Sequence, residues 1–390
     1  MQTMRQSITK TFEFFEYMHL IIDYKSNNLL IKLWLIGNKQ MQNWIQKYLK
    51  DLKLNYKCKK ELNVIWLLKT FKNIEYLNLY NIKFNVIEFI PNFIKILDIG
   101  KYKIKNSEIK LLPKTLTYLK ASAQQLKNPI LPKNLTDLIL YNCQNITIDF
   151  INNLSYKIKK LSLNHLEIIN FELKHLINLV SLELKFGKIQ TFILEECFDL
   201  KNLNLHGNQL IEFPKSILRF TSLESLNLGF NTISQITNEI LQLQNLKYLN
   251  LNENKFTEFS TALLKLVNLE TLNLCYNKIS KIIIFDSKLQ NLKDLNLSYN
   301  KISKVFILES KLQNLKELNL SNNYINEIKL QQSNLQILNL STNNIANIVK
   351  INLQTPKLNE FYLWNNDNNS YIFYCHLSLK LPTSTKIFVN

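Results

Sequence analysis

The chain has 390 residues, 46% hydrophobic and 20% charged, with 48 basic and 30 acidic side chains for a formal charge of +18. That is ample apolar material for a buried core and too little charge for a disordered chain. Five scattered glycines (Gly37, Gly100, Gly187, Gly207, Gly229) supply neither a G-x-G-x-x-G fingerprint nor a Walker loop, which excludes the common phosphate cradles.

Residues 1–73 come first and carry 13 basic and 5 acidic side chains, +8, against +10 for the remaining 317. Glu13 to Ile22, Gln42 to Leu52 and Glu61 to Phe71 have the apolar spacing of amphipathic helices. The expectation is a helical N-terminal cap. Met1 to Asp23 lacks the basic start and unbroken apolar stretch of a signal peptide. No apolar run approaches the roughly 20 residues of a membrane span.

A repeating frame follows. It begins near Ile74, Ile94, Leu116, Leu135, Ile158 and Leu179, and three of these starts follow a proline: Pro91, Pro113 and Pro132. From Leu200 the pattern becomes regular, L-x-x-L-x-L-x-x-N-x-L. One unit is Leu200, Leu203, Leu205, Asn208, Leu210; the next is Leu223, Leu226, Leu228, Asn231, Ile233. Further units start at Leu246, Leu269, Leu292, Leu315, Leu335 and Leu358, at spacings of 23, 23, 23, 23, 23, 20 and 23 from Leu200 onward. Lys288-Leu-Gln-Asn-Leu-Lys and Lys311-Leu-Gln-Asn-Leu-Lys are near copies, a mark of duplication. In the upstream units the asparagine slot holds Ile82, Tyr102, Gln124, Cys143, Leu166 and Gly187.

The L-x-L core has period 2, so its leucines face one side of a short strand. A chain that coils once per repeat stacks such strands in parallel, about 4.8 Å apart. The slot asparagine faces inward, where its amide can bond the loop backbones of adjacent turns. No repeat buries its apolar face alone, so stability comes from neighbours and the ends need caps.

The pattern resembles the leucine-rich repeat family over residues 74–377, with Leu112-Pro-Lys and Leu131-Pro-Lys similar to its Leu-Pro-containing subclass. The resemblance implies an α/β leucine-rich repeat solenoid. It would have a curved parallel sheet on the concave face, turns and short helices on the convex face, and the helical N-terminal cap. The expected division is 1–73 cap, 74–370 solenoid of about 13–14 repeats, and 371–390 C-terminal cap with closing strands at Tyr371 to Phe373 and Lys386 to Val389. Asn28-Leu-Leu-Ile-Lys-Leu-Trp-Leu-Ile-Gly-Asn-Lys, followed by Trp44-Ile-Gln-Lys, is similar to the F-box-like modules that precede such repeats. It lacks their Leu-Pro opening, with Phe12 to Glu16 in its place. That likeness implies a Skp-type ubiquitin-ligase adaptor as a partner.

The chain offers little for catalysis. His19, His165, His175, His206 and His376 form no H-E-x-x-H, and the adjacent Cys375-His376 would point oppositely on a strand. Cys58, Cys143, Cys197, Cys275 and Cys375 are odd in number and lack C-x-x-C spacing, so neither a disulfide framework nor a zinc knuckle is expected. Reduced cysteines point to an intracellular, cytoplasmic protein. No enzymatic activity, cofactor, metal or membrane partner is expected. Lysines are scattered and arginine is confined to Arg5 and Arg219, which argues against nucleic acid.

What remains is the solvent face of the strands. Between the strand leucines lie Asn204, Asn227, Asn250, Asn273, Asn296, Asn319, Asn339 and Tyr362, expected to form a hydrogen-bonded ladder from strand to strand. The neighbouring columns vary and bring Phe230, Tyr248, Tyr276 and Tyr299 near one another, flanked by Asp294 and Glu317. Clustered exposed aromatics suit interface anchors. Lys255, Lys278 and Lys301 form a third column, read as a solvated rim. The expected function is a non-enzymatic scaffold that binds a partner protein on the concave face through these six residues. The alternative is a ubiquitin-ligase substrate receptor.

Overall fold

The computed structural model describes residues 39, 51–53, 68–69, 72–79, 87–284, 288–307, 312–343, 345, 351–366 and 381–389. The chain divides into two compact units, Met1–Leu140 and Tyr141–Asn390. Each is a parallel β-solenoid.

In the first unit the ladder order is β1 (Asp51–Lys53), β2 (Tyr76–Asn78), β3 (Ile96–Lys103), β4 (Tyr118–Ser122) and β5 (Asp137–Tyr141). The first rungs pair Asp51 with Tyr76, Tyr76 with Ile96, and Ile96 with Tyr118. Each proline ahead of a frame start closes a tight turn: the amides of Ile94, Leu116 and Leu135 donate to the carbonyls of Pro91, Pro113 and Pro132. Helix α1 (Asn106–Ile109) is held by Glu108, which accepts from the Lys105 amide at 2.8 Å and the Tyr102 hydroxyl at 3.0 Å. Burial, then the Glu108 bond, pushes the Tyr102 phenol up to about 12.

Strand β1 corrects the N-terminal reading. The helix expected over Gln42 to Leu52 does not run to its end, because Asp51 and Leu52 lie in a strand of the ladder. Leu49-x-x-Leu52-x-Leu54 has the sequence pattern of a repeat's strand half, ahead of the expected start at Ile74. Lys39, Leu68 and Lys69 are helical. Glu13 to Ile22 and the F-box-like stretch, apart from Lys39, lie outside the described residues.

In the second unit the long ladder runs through β6 (Lys160–Leu163), β8 (Ser181–Glu183), β10 (Asn202–Asn204), β11 (Ser225–Asn227), β12 (Tyr248–Asn250) and β13 (Thr271–Asn273). It continues through β15 (Asp294–Asn296), β17 (Glu317–Asn319), β19 (Ile337–Asn339), β21 (Glu360–Tyr362) and β22 (Lys386–Phe388). Every frame start read from the sequence, in both units, is followed two residues on by one of these strands. The strand leucines, such as Leu226, Leu249 and Leu272, are fully buried. Strand β22 pairs in parallel with β21 inside the expected C-terminal closing segment, whereas Tyr371 to Phe373 lie outside the described residues.

In the second unit the returning half of some turns carries the expected short helical pieces: helix α2 (Ile148–Asn152) and three 3₁₀ segments, Lys215–Arg219, Asn238–Gln242 and Leu263–Lys265. Other turns of this unit return as strands, which the sequence reading did not expect. Strands β7 (Asn170–Leu173) and β9 (Thr191–Leu194) pair, and β14 (Lys281–Ile284), β16 (Lys304–Ile307), β18 (Glu327–Gln331) and β20 (Ile351–Gln354) form a second four-stranded parallel sheet. The residues explain the switch: Lys-Ile-Ile-Ile and Lys-Val-Phe-Ile are β-branched and aromatic with alternate burial, unlike Lys-Ser-Ile-Leu-Arg. Ile282, Ile284, Val305 and Ile307 close the core from that side.

Asparagine does three separate jobs in each regular turn. In the slot, Asn231 donates to the carbonyls of Leu205, Leu228 and Gly229 at 3.1, 3.0 and 3.1 Å and accepts from the Leu210 amide at 3.0 Å. Asn254, Asn277, Asn300 and Asn323 repeat this pattern. Just before each strand, exposed Asn245, Asn268, Asn291 and Asn314 donate to carbonyls one turn earlier, at 2.9, 2.9, 3.0 and 2.6 Å. Where the slot is not asparagine, Cys143 fills it as a buried thiol pushed up to about 12 by burial, and Gly187 leaves room for Asn208. A Cβ on Gly187 would lie 2.9 Å from the Asn208 Oδ1.

Candidate functional site

The third asparagine job shapes the solvent face. The strand-row asparagines of the second unit do not bond from strand to strand as expected. Each Oδ1 instead accepts from the backbone amide two residues on: Asn227 from Gly229 at 3.0 Å, Asn273 from Cys275 at 3.1 Å, Asn296 from Ser298 at 3.1 Å. This is an Asx turn, which ends the strand and starts the loop. A strand-to-strand network occurs in the first unit, where the same column holds different residues. There Asp98 Oδ2 accepts from Asn78 Nδ2 at 3.5 Å and pairs with Lys120 at 3.3 Å.

Three residues beyond each strand-row asparagine the backbone turns left-handed. Phe230, Glu253, Tyr276, Tyr299, Asn322 and Thr342 all have φ between 50° and 55°. Such φ values are uncommon for side chains other than glycine, asparagine and aspartate. The conformation holds Tyr276 and Tyr299, 48% and 44% exposed, on adjacent loops. Their rings stack with centroids 4.0 Å apart and planes 9° apart. A hydrogen bond with Tyr299 raises the Tyr276 phenol above its usual value.

Tyr248, Asp294 and Glu317 share a second feature. With Thr271 between them they occupy consecutive rungs in register, Tyr248 to Thr271 to Asp294 to Glu317. They line a recess of about 270 Å³ together with Asn273, Asn296 and Asn319, which form the next column along the same face of the ladder. Thr271 Oγ1 donates to Asp294 Oδ2 at 3.3 Å. Burial raises the Tyr248 phenol above its usual value. Among the described residues no ion pair involves Asp294 or Glu317. The column beside them is different: Glu224 holds Lys247 at 2.7 Å and Glu270 holds Lys293 at 2.5 Å.

Phe230 does not join the tyrosines. Its ring lies 5.9 Å from His206, which packs edge-on against Phe186 at 5.3 Å, and Phe186 stacks on His165 at 5.9 Å. This aromatic run was missed in the sequence, although Phe186 stands just ahead of slot Gly187 as Phe230 stands ahead of Asn231. Extending the loop column upstream of Leu200 brings out Phe186 and His165, whereas His206 stands one position ahead of Gly207 and so outside that column. Burial lowers the His206 imidazole below its usual value. Lys255, Lys278 and Lys301 are exposed.

Among the described residues no group of three or more His, Cys, Asp or Glu side chains is placed to hold a metal, and no helix is long and apolar enough to cross a membrane. Cys143, Cys197 and Cys275 are buried, and none of them is in a disulfide. Burial pushes Cys197 up to about 12 as well, and thiols of that kind are poor nucleophiles. Cys58, Cys375 and His376 lie outside the described residues.

Sequence models of the leucine-rich repeat family match residues 221–279 and, as a two-copy repeat, 290–332. The chain carries leucine-rich repeats. The matched segments do not touch residues 1–73. Among curated proteins no sequence matches. Among solved structures, a leucine-rich repeat protein of Leptospira interrogans superposes with a TM-score of 0.63 at 24% identity, over 90% of this chain and 98% of that one. YopM from Yersinia enterocolitica gives 0.50 at 21% identity, over 81% and 63%. A TLR13–ssRNA13 complex gives 0.53 at 19% identity, over 89% and 63%. At these identities the likeness concerns the leucine-rich repeat fold, a fold commonly used as an interaction scaffold.

Proposed function

We propose that this leucine-rich repeat chain is a non-enzymatic scaffold that binds another protein on the solvent face of the ladder between β12 and β17. The stacked pair Tyr276–Tyr299 carries the reading. Two large rings stand half-exposed on turns fixed by Asx bonds, so little side-chain entropy is lost when a partner covers them. They lie on the turns that leave β13 and β15, the strands whose Thr271 and Asp294 line the recess. Rigid aromatics beside polar groups are the usual composition of an interface hot spot.

The test is affinity capture from native lysate followed by mass spectrometry, with full-length protein beside Tyr276→Ala/Tyr299→Ala. The expected result is a partner captured by the wild type and lost by a variant that still gives a native circular dichroism spectrum. Capture unchanged by the double substitution would remove the tyrosines from the site. A Skp-type adaptor lost only on deleting residues 1–73 would instead support the ubiquitin-ligase receptor.

A further inference from the structure

The recess beside the tyrosines has its own chemistry, and it names a partner class. The chain as a whole carries +18, yet Asp294 and Glu317 sit on directly paired rungs without a lysine. Like charges opposite one another in a ladder destabilise it unless something neutralises them. Just ahead of the strands lysines do reach carboxylates one turn away, as Lys247 reaches Glu224 and Lys293 reaches Glu270.

The adjoining column supplies the complement. The Asn273 and Asn296 Oδ1 atoms are spent on the amides of Cys275 and Ser298, and Asn319 Oδ1 on Ser321. That bond fixes which end of each amide is left over: the NH₂ groups, as donors. The recess therefore has carboxylate acceptors in one column, amide donors in the next, and the partly exposed Tyr248 ring in the carboxylate column. A cation is attracted to an aromatic face as well as to carboxylates.

We propose that the recess takes an arginine- or lysine-bearing extended segment of the partner protein. The cationic side chain enters between Tyr248, Asp294 and Glu317, and the carbonyls of the segment accept from the asparagine amides. This rests on the reading that the solvent face of β12 to β17 is a protein-binding surface, and it adds the charge and conformation of what binds. A basic peptide meets net repulsion from a +18 chain, so saturable binding must come from a local acidic site.

The experiment uses full-length protein and a fluorescein-labelled Gly-Arg-Gly-Arg-Gly peptide, read by anisotropy at low and moderate salt. The control peptide carries citrulline, a neutral isostere, at both arginines. Saturable binding by wild type, weakened about tenfold or more by Asp294→Asn/Glu317→Gln, supports the proposal. Glu327→Gln, on the back sheet and paired with Lys304, should leave affinity unchanged. Should the double variant lose its fold, Glu317→Lys alone, at an exposed position, serves in its place and is expected to abolish binding. No saturable binding, equal binding of the citrulline peptide, or equal affinity in the acidic variants overturns it. Preferential binding of a single-stranded oligonucleotide at the same recess also overturns it. The basic-segment proposal can fail on the peptide while tyrosine-dependent capture stands, so the two failures are distinguishable.

Discussion

Asn300→Ala removes four hydrogen bonds that are far from equivalent. The Asn300 amide donates to the carbonyls of Leu274, Leu297 and Ser298 at 3.0, 3.0 and 3.2 Å. Each carbonyl keeps a second donor when Asn300 is gone: Asn277 Nδ2, Asn323 Nδ2 and the Tyr276 amide respectively. The fourth bond, from the Ile279 amide to Oδ1 at 3.0 Å, has no such substitute, and Ile279 is fully buried. An orphaned buried amide costs about 1–3 kcal/mol, and the three shared bonds add roughly 1 kcal/mol more. The expected loss is about 2–4 kcal/mol. Asn296→Ala, in the same turn, breaks two part-buried bonds to its Oδ1, from the Ser298 amide and the Ser298 hydroxyl, and should cost about 0.5–1.5 kcal/mol. Asn291→Ala loses one exposed bond to the Val267 carbonyl and should cost about 0.5 kcal/mol or less. Urea unfolding followed by circular dichroism ranks the three. Amide exchange by mass spectrometry over residues 274–300 shows where protection falls, which matters because repeat arrays need not unfold in one step. Asn300→Asp sharpens the test. It keeps an acceptor for Ile279 but sets a carboxylate against three carbonyl oxygens, so it should be worse than alanine at neutral pH and recover in acid. Equal costs at positions 291 and 300, or an aspartate milder than alanine, would refute the accounting.

Two further outcomes follow from local geometry. Thr342 is β-branched at φ 53°, so Thr342→Gly should raise stability by about 1 kcal/mol in thermal melts, and a loss of that size would mean the threonine side chain contributes more than the strain costs. Glu224 lies below the usual carboxylate value, chiefly through its hydrogen bond with Lys247. Its stabilisation is present above the ordinary value near 4.5 and is lost as pH falls through the lower folded value, so the melting-temperature gap between wild type and Glu224→Gln should close in acid. A gap equal at pH 7 and pH 3 would contradict this.

The stacking frame was legible because it rests on spacing alone. Period-2 leucines at a constant interval leave one way to bury them, and strands follow every frame start from Ile74 to Leu358. The slot asparagines were legible for the same reason, since a buried amide at a fixed place must bond backbone. The back of the solenoid was less so. Lys-Ile-Ile-Ile and Asn-Glu-Ile-Leu-Gln each bring only two or three apolar residues, and periodicity does not separate strand from 3₁₀ turn at that length. The strand-row asparagines misled because an amide beside its twin can bond across or along the chain, and the nearer backbone amide wins. For the candidate site, register brought Tyr248, Asp294 and Glu317 into one recess, and loop position paired Tyr276 with Tyr299. Phe230 was assigned to that group by sequence offset but faces His206, because Glu253 intervenes in the loop column.

The slot asparagine gives the stack a direction. Asn300 satisfies the Ile279 amide of the turn before it, Asn323 does the same for Ile302, and Asn343 for Ile325. Each turn is thus finished by its successor. A chain leaving the ribosome adds turns in the order that closes them, so every new repeat seals the one already laid down. Cutting the array from the C-terminal side takes away the slot acceptor of the turn that is kept, as loss of Asn300 would reopen the buried Ile279 amide. Cutting from the other side takes away the carbonyls that the next strand's amides use, as Glu270 serves Lys293 and Asp294, so a shortened array needs a cap at either end.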